Sequence, residues 1–286
     1  MIPLIAIICL LSLLIASYTD LKTREVPDWL NYSLIVVGLG INAIYSTISS
    51  NPSFIIQSIL GLIVGLIVAY SMFYLGQWGG GDSKMIIGLG ALIGLELTIN
   101  SFLLGLLINI LLVGSIYGLV WGIILAAKNK NRFTKEIKKI IKNKRVIRSR
   151  LIIFIGSLLL LSPLFLTKVP SIIIPIILLI ILINITPYLW IFVKAVENSS
   201  MYKRITPDKL TEGDWIANDI KIDGKYISGP KDLGIEKKQI NQLIDLWKKG
   251  KIKKVLIKEG MPFIPSFFIA FIITLIYGNL FIFFIS

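Results

Sequence analysis

Histidine is absent from all 286 residues, and cysteine occurs once, as Cys9. The first absence removes the usual general base near neutral pH, the serine–histidine dyad and histidine-ligated metal sites. The second removes internal disulfides and a tetra-cysteine zinc cluster, and leaves Cys9 as a small buried apolar residue inside the first apolar run. Charge is also scarce: Asp, Glu, Lys and Arg make up 16% of the chain, against 55% hydrophobic residues and a mean hydropathy of +0.82. A soluble domain of this length would not carry so many long apolar runs, so the chain reads as an all-α polytopic membrane protein.

About eight runs, within a range of 6–8, are candidate transmembrane helices: 2–18, 29–48, 54–75, 84–99, 101–127, 151–167, 170–194 and 262–285. The 84–99 run is short and includes Glu96. Lipid offers no partner to a backbone N–H or C=O, so each span must be helical. The 1–17 run lacks a basic n-region and a small-residue cleavage site, and is read as a retained first span. The intervening loops alternate between charged and uncharged along the whole chain, with Lys168 alone in the turn near 168. The net charge of +14 is then a topological signal. By the positive-inside rule the N-terminus lies outside and the charged loops face the cytoplasm.

This divides the chain into a catalytic membrane domain at 1–127, a basic cytoplasmic loop at 128–150, an additional transmembrane hairpin at 151–194, a small cytoplasmic module at 195–261 and a C-terminal span at 262–286. Segment 128–150 holds eleven Lys and Arg against one acid, Glu136, and Ile137, Ile140 and Ile141 recur in it at helical spacing. That pattern suits an interfacial helix on anionic lipid, or a solvated topogenic loop. It does not suit nucleic acid, because no aromatic residues interleave the charge. The module is expected to be α+β. Runs at 215–222 and 226–228 around Asp223-Gly224 read as strands and a hairpin, 236–250 as an amphipathic helix ending on glycine, and 255–257 as a further strand.

Two acids stand out at the predicted cytoplasmic edge. Asp20 closes the first apolar run and Asp82 opens the fourth, after Gly79, Gly80 and Gly81. Ionisable groups beside hydrocarbon are costly and tend to mark function. Two carboxylates at one depth can share a proton and activate water. The three glycines permit close backbone approach and positive φ, and leave room for an extended substrate. Each acid also has a plainer reading: Asp82 as a helix cap, Asp20 as an ordinary interfacial loop acid.

Gly79-Gly80-Gly81-Asp82 matches the GxGD motif of membrane aspartic proteases. Asp20-Leu21-Lys22-Thr23-Arg24-Glu25-Val26-Pro27 resembles the first-aspartate segment of type IV prepilin peptidases and archaeal preflagellin (prearchaellin) peptidases, with Asp28 where that family has Asn. Gly260-Met261-Pro262-Phe263-Ile264-Pro265-Ser266-Phe267-Phe268 resembles the family's segment opening a late span, and Leu210-Thr211-Glu212-Gly213-Asp214 before a small module resembles the archaeal branch. The resemblance implies an aspartic endopeptidase that removes class III signal peptides from preflagellins or prepilins at the cytoplasmic face of the cell membrane. Asp20 and Asp82 are its implied catalytic acids, and neither metal nor organic cofactor is implied. Basic substrate leaders make Glu25, Asp28, Glu212 and Asp214 candidate leader contacts.

Two departures bear on this. With one cysteine and no room for a tetra-Cys domain between the first two spans, the N-methyltransferase activity of bifunctional prepilin peptidases is not expected. Segments 128–150 and 151–194 are additional to a six-span preflagellin peptidase. Two other classes share the acids. Presenilin and signal-peptide-peptidase-like proteases also use GxGD, but place the first aspartate in a Tyr-Asp pair, whereas Thr19 here separates Tyr18 from Asp20. An ion- or proton-coupled transporter would use the two acids as a relay.

Overall fold

The computed structural model describes residues 3–162, 169–222 and 224–285. The expected turn at Lys168 and the Asp223 corner of the expected hairpin lie outside the described residues. In chain order the helices are α1 (Pro3–Thr23), α2 (Asp28–Ile48), α3 (Ser53–Tyr74), α4 (Gly80–Ile93), α5 (Phe102–Lys128), α6 (Lys130–Ile141), α7 (Lys144–Leu159), α8 (Pro170–Val196), α9 (Lys237–Lys248), α10 (Ile264–Tyr277) and α11 (Leu280–Ile285). Among the described residues, α1, α2, α3, α5 and α8 are long and apolar enough to cross a membrane; α10 is a shorter apolar helix. Short strands β1 (Tyr202–Ile205), β2 (Trp215–Ile216), β3 (Ile220–Ile222), β4 (Lys225–Ser228) and β5 (Val255–Lys258) fall in the C-terminal third.

The chain separates into two units, residues 1–118 with 205–286, and residues 119–204. In the first, α4 differs from the expected span. With 14 residues it is about 21 Å long, short of the roughly 30 Å of a hydrocarbon core. Its side chains Met85, Ile86, Leu89 and Leu92 are fully buried. Glycine makes this burial possible: a Cβ on Gly61 of α3 would overlap the Gly90 carbonyl of α4, and one on Gly90 would overlap Gly61. Gly38 of α2 sits as closely, its Cβ position 2.7 Å from the Leu92 backbone. Without a hydrophobic force between helices in lipid, such close backbone packing and buried polar bonds hold a bundle together. Asn42 Nδ2 donates to the carbonyls of Gly38 at 2.9 Å and Leu92 at 3.2 Å.

A second polar knot joins α5 to α10. Asn109 is fully buried and donates to Thr274 Oγ1 and to the Gly278 carbonyl, both at 2.8 Å, while its Oδ1 accepts from Leu280 N–H at 3.1 Å. Gly278, at φ 70°, ends α10, and Asn109 satisfies the backbone groups that this break exposes. Around these bonds the core runs from Ile5, Cys9 and Leu13 of α1 to Phe267 and Phe271 of α10.

The module continues this unit. Strand β2 pairs antiparallel with β5, Trp215 opposite Lys258, and β3 with β4, bulged between Ile220 and Lys221. Leu210, Ile216, Ile235, Leu243, Val255 and Ile257 close a small core under α9. Trp215 leans on the membrane helices, its ring edge 2.9 Å from where a Cβ on Gly76 would sit.

In the second unit the expected loop at 128–150 is helical: α6 fills its first half, and α7 begins inside it at Lys144, capped by Asn143 Oδ1 accepting from Arg145 N–H at 2.9 Å. Ile140 is buried against Ile191 and Ala195 of α8, with Phe133, Ile137 and Val146 around them. Most of the apolar face of α6 packs on α8, Ile141 stays exposed, and so do the basic residues.

Candidate active site

Asp20 lies in the last turn of α1, buried at 6% exposure. The helix ends four residues later, where Arg24 takes a left-handed φ of 63° and donates its N–H to the Asp20 carbonyl at 2.9 Å. The Asp20 carboxylate is fixed from far along the chain: Oδ2 accepts from Ile264 N–H at 2.9 Å. Ile264 opens α10, so its N–H is one of those that a helix start leaves without an internal partner, and a carboxylate is favoured there. The segment 260–268 singled out in the sequence thus ends on the first aspartate.

Arg24 fastens the same junction. Its Nη1 donates to the Gly260 carbonyl, and Nη2 lies 3.7 Å from Glu259 Oε2. Trp78, buried just ahead of the glycines, packs its ring 5.2 Å from Phe267 and 6.5 Å from Phe263. The approach to Asp82 and the start of α10 therefore share one aromatic support.

Asp82 is half-buried in the first turn of α4, where its Oδ2 accepts from Gly79 N–H at 3.0 Å. It does cap the helix, as its plainer reading held, and it does so within electrostatic range of Asp20. The two acids come from helix ends about sixty residues apart in sequence. Of the three uses expected of the glycines before Asp82, close approach and open room are present and positive φ is not. Gly81 allows close approach, its Cβ position lying 3.2 Å from Val26, while the Gly80 position faces open space.

The other candidate residues divide. Asp28 is engaged: Lys84 Nζ donates to its Oδ1 at 2.6 Å and stands 5.5 Å from the Tyr32 ring centre. Asp214 Oδ2 accepts from Thr211 N–H at 2.9 Å. Burial raises the Asp214 carboxyl above its usual range, and the charges of Glu25 and Glu259 push the same way, against the Thr211 N–H that favours the anion. Glu25, Asp214 and Glu259 therefore share one neighbourhood, whereas Glu212 is simply exposed. Sequence reading missed Glu259, Arg24 as a fastener, and Tyr117 of α5, which lies in electrostatic range of both Asp20 and Arg24. Arg24 had a local signal, as part of the first-aspartate segment; Tyr117 and Glu259 had none. Among the described residues no group of three or more Asp, Glu, Cys or His could hold a metal ion.

A helical protein with several helices apolar enough to cross a membrane, which holds a carboxylate at the end of the first within electrostatic range of another at the start of a short buried helix, is the class these observations define. Residues 7–128, which carry both acids, match the type IV leader peptidase family. The chain is 49% identical over 83 residues to a preflagellin peptidase of Methanocaldococcus jannaschii, a match covering 29% of this chain and 35% of the relative. It is 47% identical over 88 residues to one of Methanococcus maripaludis, covering 30% and 37%. A preflagellin peptidase of Methanococcus voltae is 44% identical over 84 residues, covering 29% and 36%. The chain matches only about a third of the length of these curated relatives.

Proposed function

We propose that the chain is a membrane-embedded aspartic endopeptidase that removes short basic leaders from preflagellins or prepilins. The observation that carries this reading is the convergence of Asp20 and Asp82, inside the segment that matches the leader peptidase family. One carboxylate takes a proton from water, whose oxygen attacks the scissile carbonyl carbon. The other donates a proton to the carbonyl oxygen. The tetrahedral intermediate then collapses: the C–N bond breaks, the nitrogen takes up a proton, and a leader carboxylate and a new amino terminus leave. The backbone bonds from Ile264 and Gly79 hold the carboxylates in place without solvent reorganisation. Open space at Gly80 suits an extended chain lying along the glycine segment.

The same reading takes the N-terminus outside and both acids at the cytoplasmic face, where leaders of this class present their cleavage site. Among possible leader contacts it favours Glu25 and Asp214, with Glu259 added, over Asp28, which Lys84 already occupies.

The test is processing of precursor peptides by membranes containing the protein, scored by mass. Asp20→Asn and Asp82→Asn should each insert normally and lose cleavage by at least about a hundredfold, since each removes a base or a proton donor. Glu96→Gln, at an exposed loop acid, should cut as wild type does. Full activity in either aspartate variant at matched expression would sink the mechanism.

A further inference from the structure

Helices α7 and α8 enclose a cleft of about 320 Å3 that the proposed reaction does not use. Its walls are mostly apolar, with Leu151, Phe154 and Pro187 among them and Asn184 the polar exception beside Arg150 and Tyr188, and both helices carry rows of exposed apolar side chains along their lengths. At its polar end sits Arg150. The Arg150 guanidinium lies 4.6 Å from the Tyr188 ring centre, and Nη2 donates to the Tyr188 hydroxyl at 2.7 Å. A guanidinium held in place by an aromatic ring beside an apolar cleft is prepared for an oxyanion.

The surroundings supply charge of one sign. Lys128, Lys130, Arg132, Lys135, Lys138, Lys139, Lys142, Lys144, Arg145 and Arg148 are all exposed, and none makes an ion pair among the described residues. The one acid of the stretch, Glu136, accepts from Asn198 Nδ2 at 3.1 Å. With Ile140 of α6 buried on α8 and Phe133 and Ile137 packed beside it, these residues offer a bilayer mainly charge.

We propose that the α7–α8 cleft binds an anionic phospholipid, with the phosphate at Arg150 under the basic field and an acyl chain along Leu151, Phe154 and Pro187. Basic pockets between membrane helices recognise headgroups in this way, and an apolar wall ending in one fixed cation selects for a lipid over a free ion. The proposal stands apart from the peptidase reading, since it uses none of that site's residues.

Native mass spectrometry of the full-length protein, titrated with phosphatidylglycerol or phosphatidylcholine in detergent, tests it. Phosphatidylglycerol should be retained at concentrations about tenfold lower than phosphatidylcholine. Arg150→Gln should abolish that preference, and Arg150→Lys should recover part of it. Leu151→Trp changes no charge but narrows the cleft at a lipid-exposed position, so it should weaken retention of both lipids; it decides alone if Arg150→Gln does not yield folded protein. Equal retention of the two lipids, an Arg150→Gln protein that binds as wild type, or displacement of phosphatidylglycerol by equimolar inorganic phosphate or a short RNA would each overturn the proposal.

Discussion

Helices α4 and α8 look alike as text, each an apolar run bounded by polar residues, yet they meet different surroundings. In α4, eight of 14 residues are buried, from Ser83 to Leu92. In α8, only Ile191, Ala195 and Val196 of 27 residues are buried, all in its final turns. The difference lies in glycine rather than in apolar content. Helix α4 carries Gly88 and Gly90, which meet Leu34 of α2 and Gly61 of α3 at distances no side chain tolerates. Helix α8 carries no glycine, two internal prolines and a run of Ile and Leu turned outward. A short helix carrying glycines sits inside the bundle and can hold an acid still; a long branched one turns its apolar side chains outward.

The sharpest way to break this contrast is to add single methyl groups. Gly61→Ala or Gly90→Ala forces α3 and α4 apart and should destabilise the protein by about 1–3 kcal/mol or more, the range of an overpacked core. Cleavage should fall with stability, because α4 carries Asp82. Gly156→Ala in α7, where a Cβ meets nothing within 4 Å, should stabilise by about 0.5–1 kcal/mol through helix propensity alone. Thermal unfolding in detergent measures all three; equal shifts would show that the glycines do not set the packing.

The same contrast extends to asparagine. Asn109→Ala removes three bonds and leaves the Leu280 N–H and the Gly278 carbonyl unsatisfied at a helix break, for an expected loss of about 1–3 kcal/mol. Asn184 in α8 bonds only the Ile180 carbonyl of its own helix at 2.8 Å, so Asn184→Ala should stay within about 0.5 kcal/mol of wild type. If the two variants unfold together, Asn109 is not the link between α5 and the end of α10.

These particulars mark where the sequence is legible. Apolar runs locate α1, α2, α3, α5 and α8 to within a few residues, because length and hydropathy decide spanning. Turn residues locate the β3–β4 hairpin, and the glycine at 250 closes α9 one residue past its cap, at φ 72°. Both aspartates were legible through their local segments. The burial of α4 was not, since an apolar run reads the same against protein as against lipid. Nor were the contacts of Asp20 with Ile264 and of Arg24 with Gly260, which join residues more than 230 positions apart. The basic stretch read as loop or interfacial helix because its isoleucines fit either; α8 covers Ile140 and packs against Ile137, while Ile141 stays exposed.

Leader recognition separates acids by engagement, with a smaller expected effect. Exposed ion pairs contribute about 0–1 kcal/mol, so Glu25→Lys should weaken apparent substrate affinity several-fold, and less at high salt. Asp28→Lys breaks the pair with Lys84 and should change affinity less than Glu25→Lys does. Substrates with leader Lys changed to Glu should recover with the Glu25→Lys enzyme; no recovery at any ionic strength would remove Glu25 from the leader path.

The smallest effect belongs to Asp214, and its sign is fixed by linkage. Its carboxyl is raised above the ordinary 3.8, so the folded state holds the proton more tightly than the unfolded chain does. Stability therefore falls as pH rises from 3.8 through the folded value, and the full penalty is present at neutral pH. Asp214→Asn keeps an oxygen to accept from Thr211 N–H while removing the charge that burial and the Glu25 and Glu259 carboxylates oppose. The variant should be more stable than wild type at pH 7, by no more than about 1 kcal/mol given the partial exposure. Well below pH 3.8, where both forms are neutral, the two unfolding curves should meet. Thermal unfolding at paired pH values reads this directly. A gap that widens on acidification would mean that the Asp214 charge is favourable in the fold, outweighing the burial and the Glu25 and Glu259 charges that oppose it.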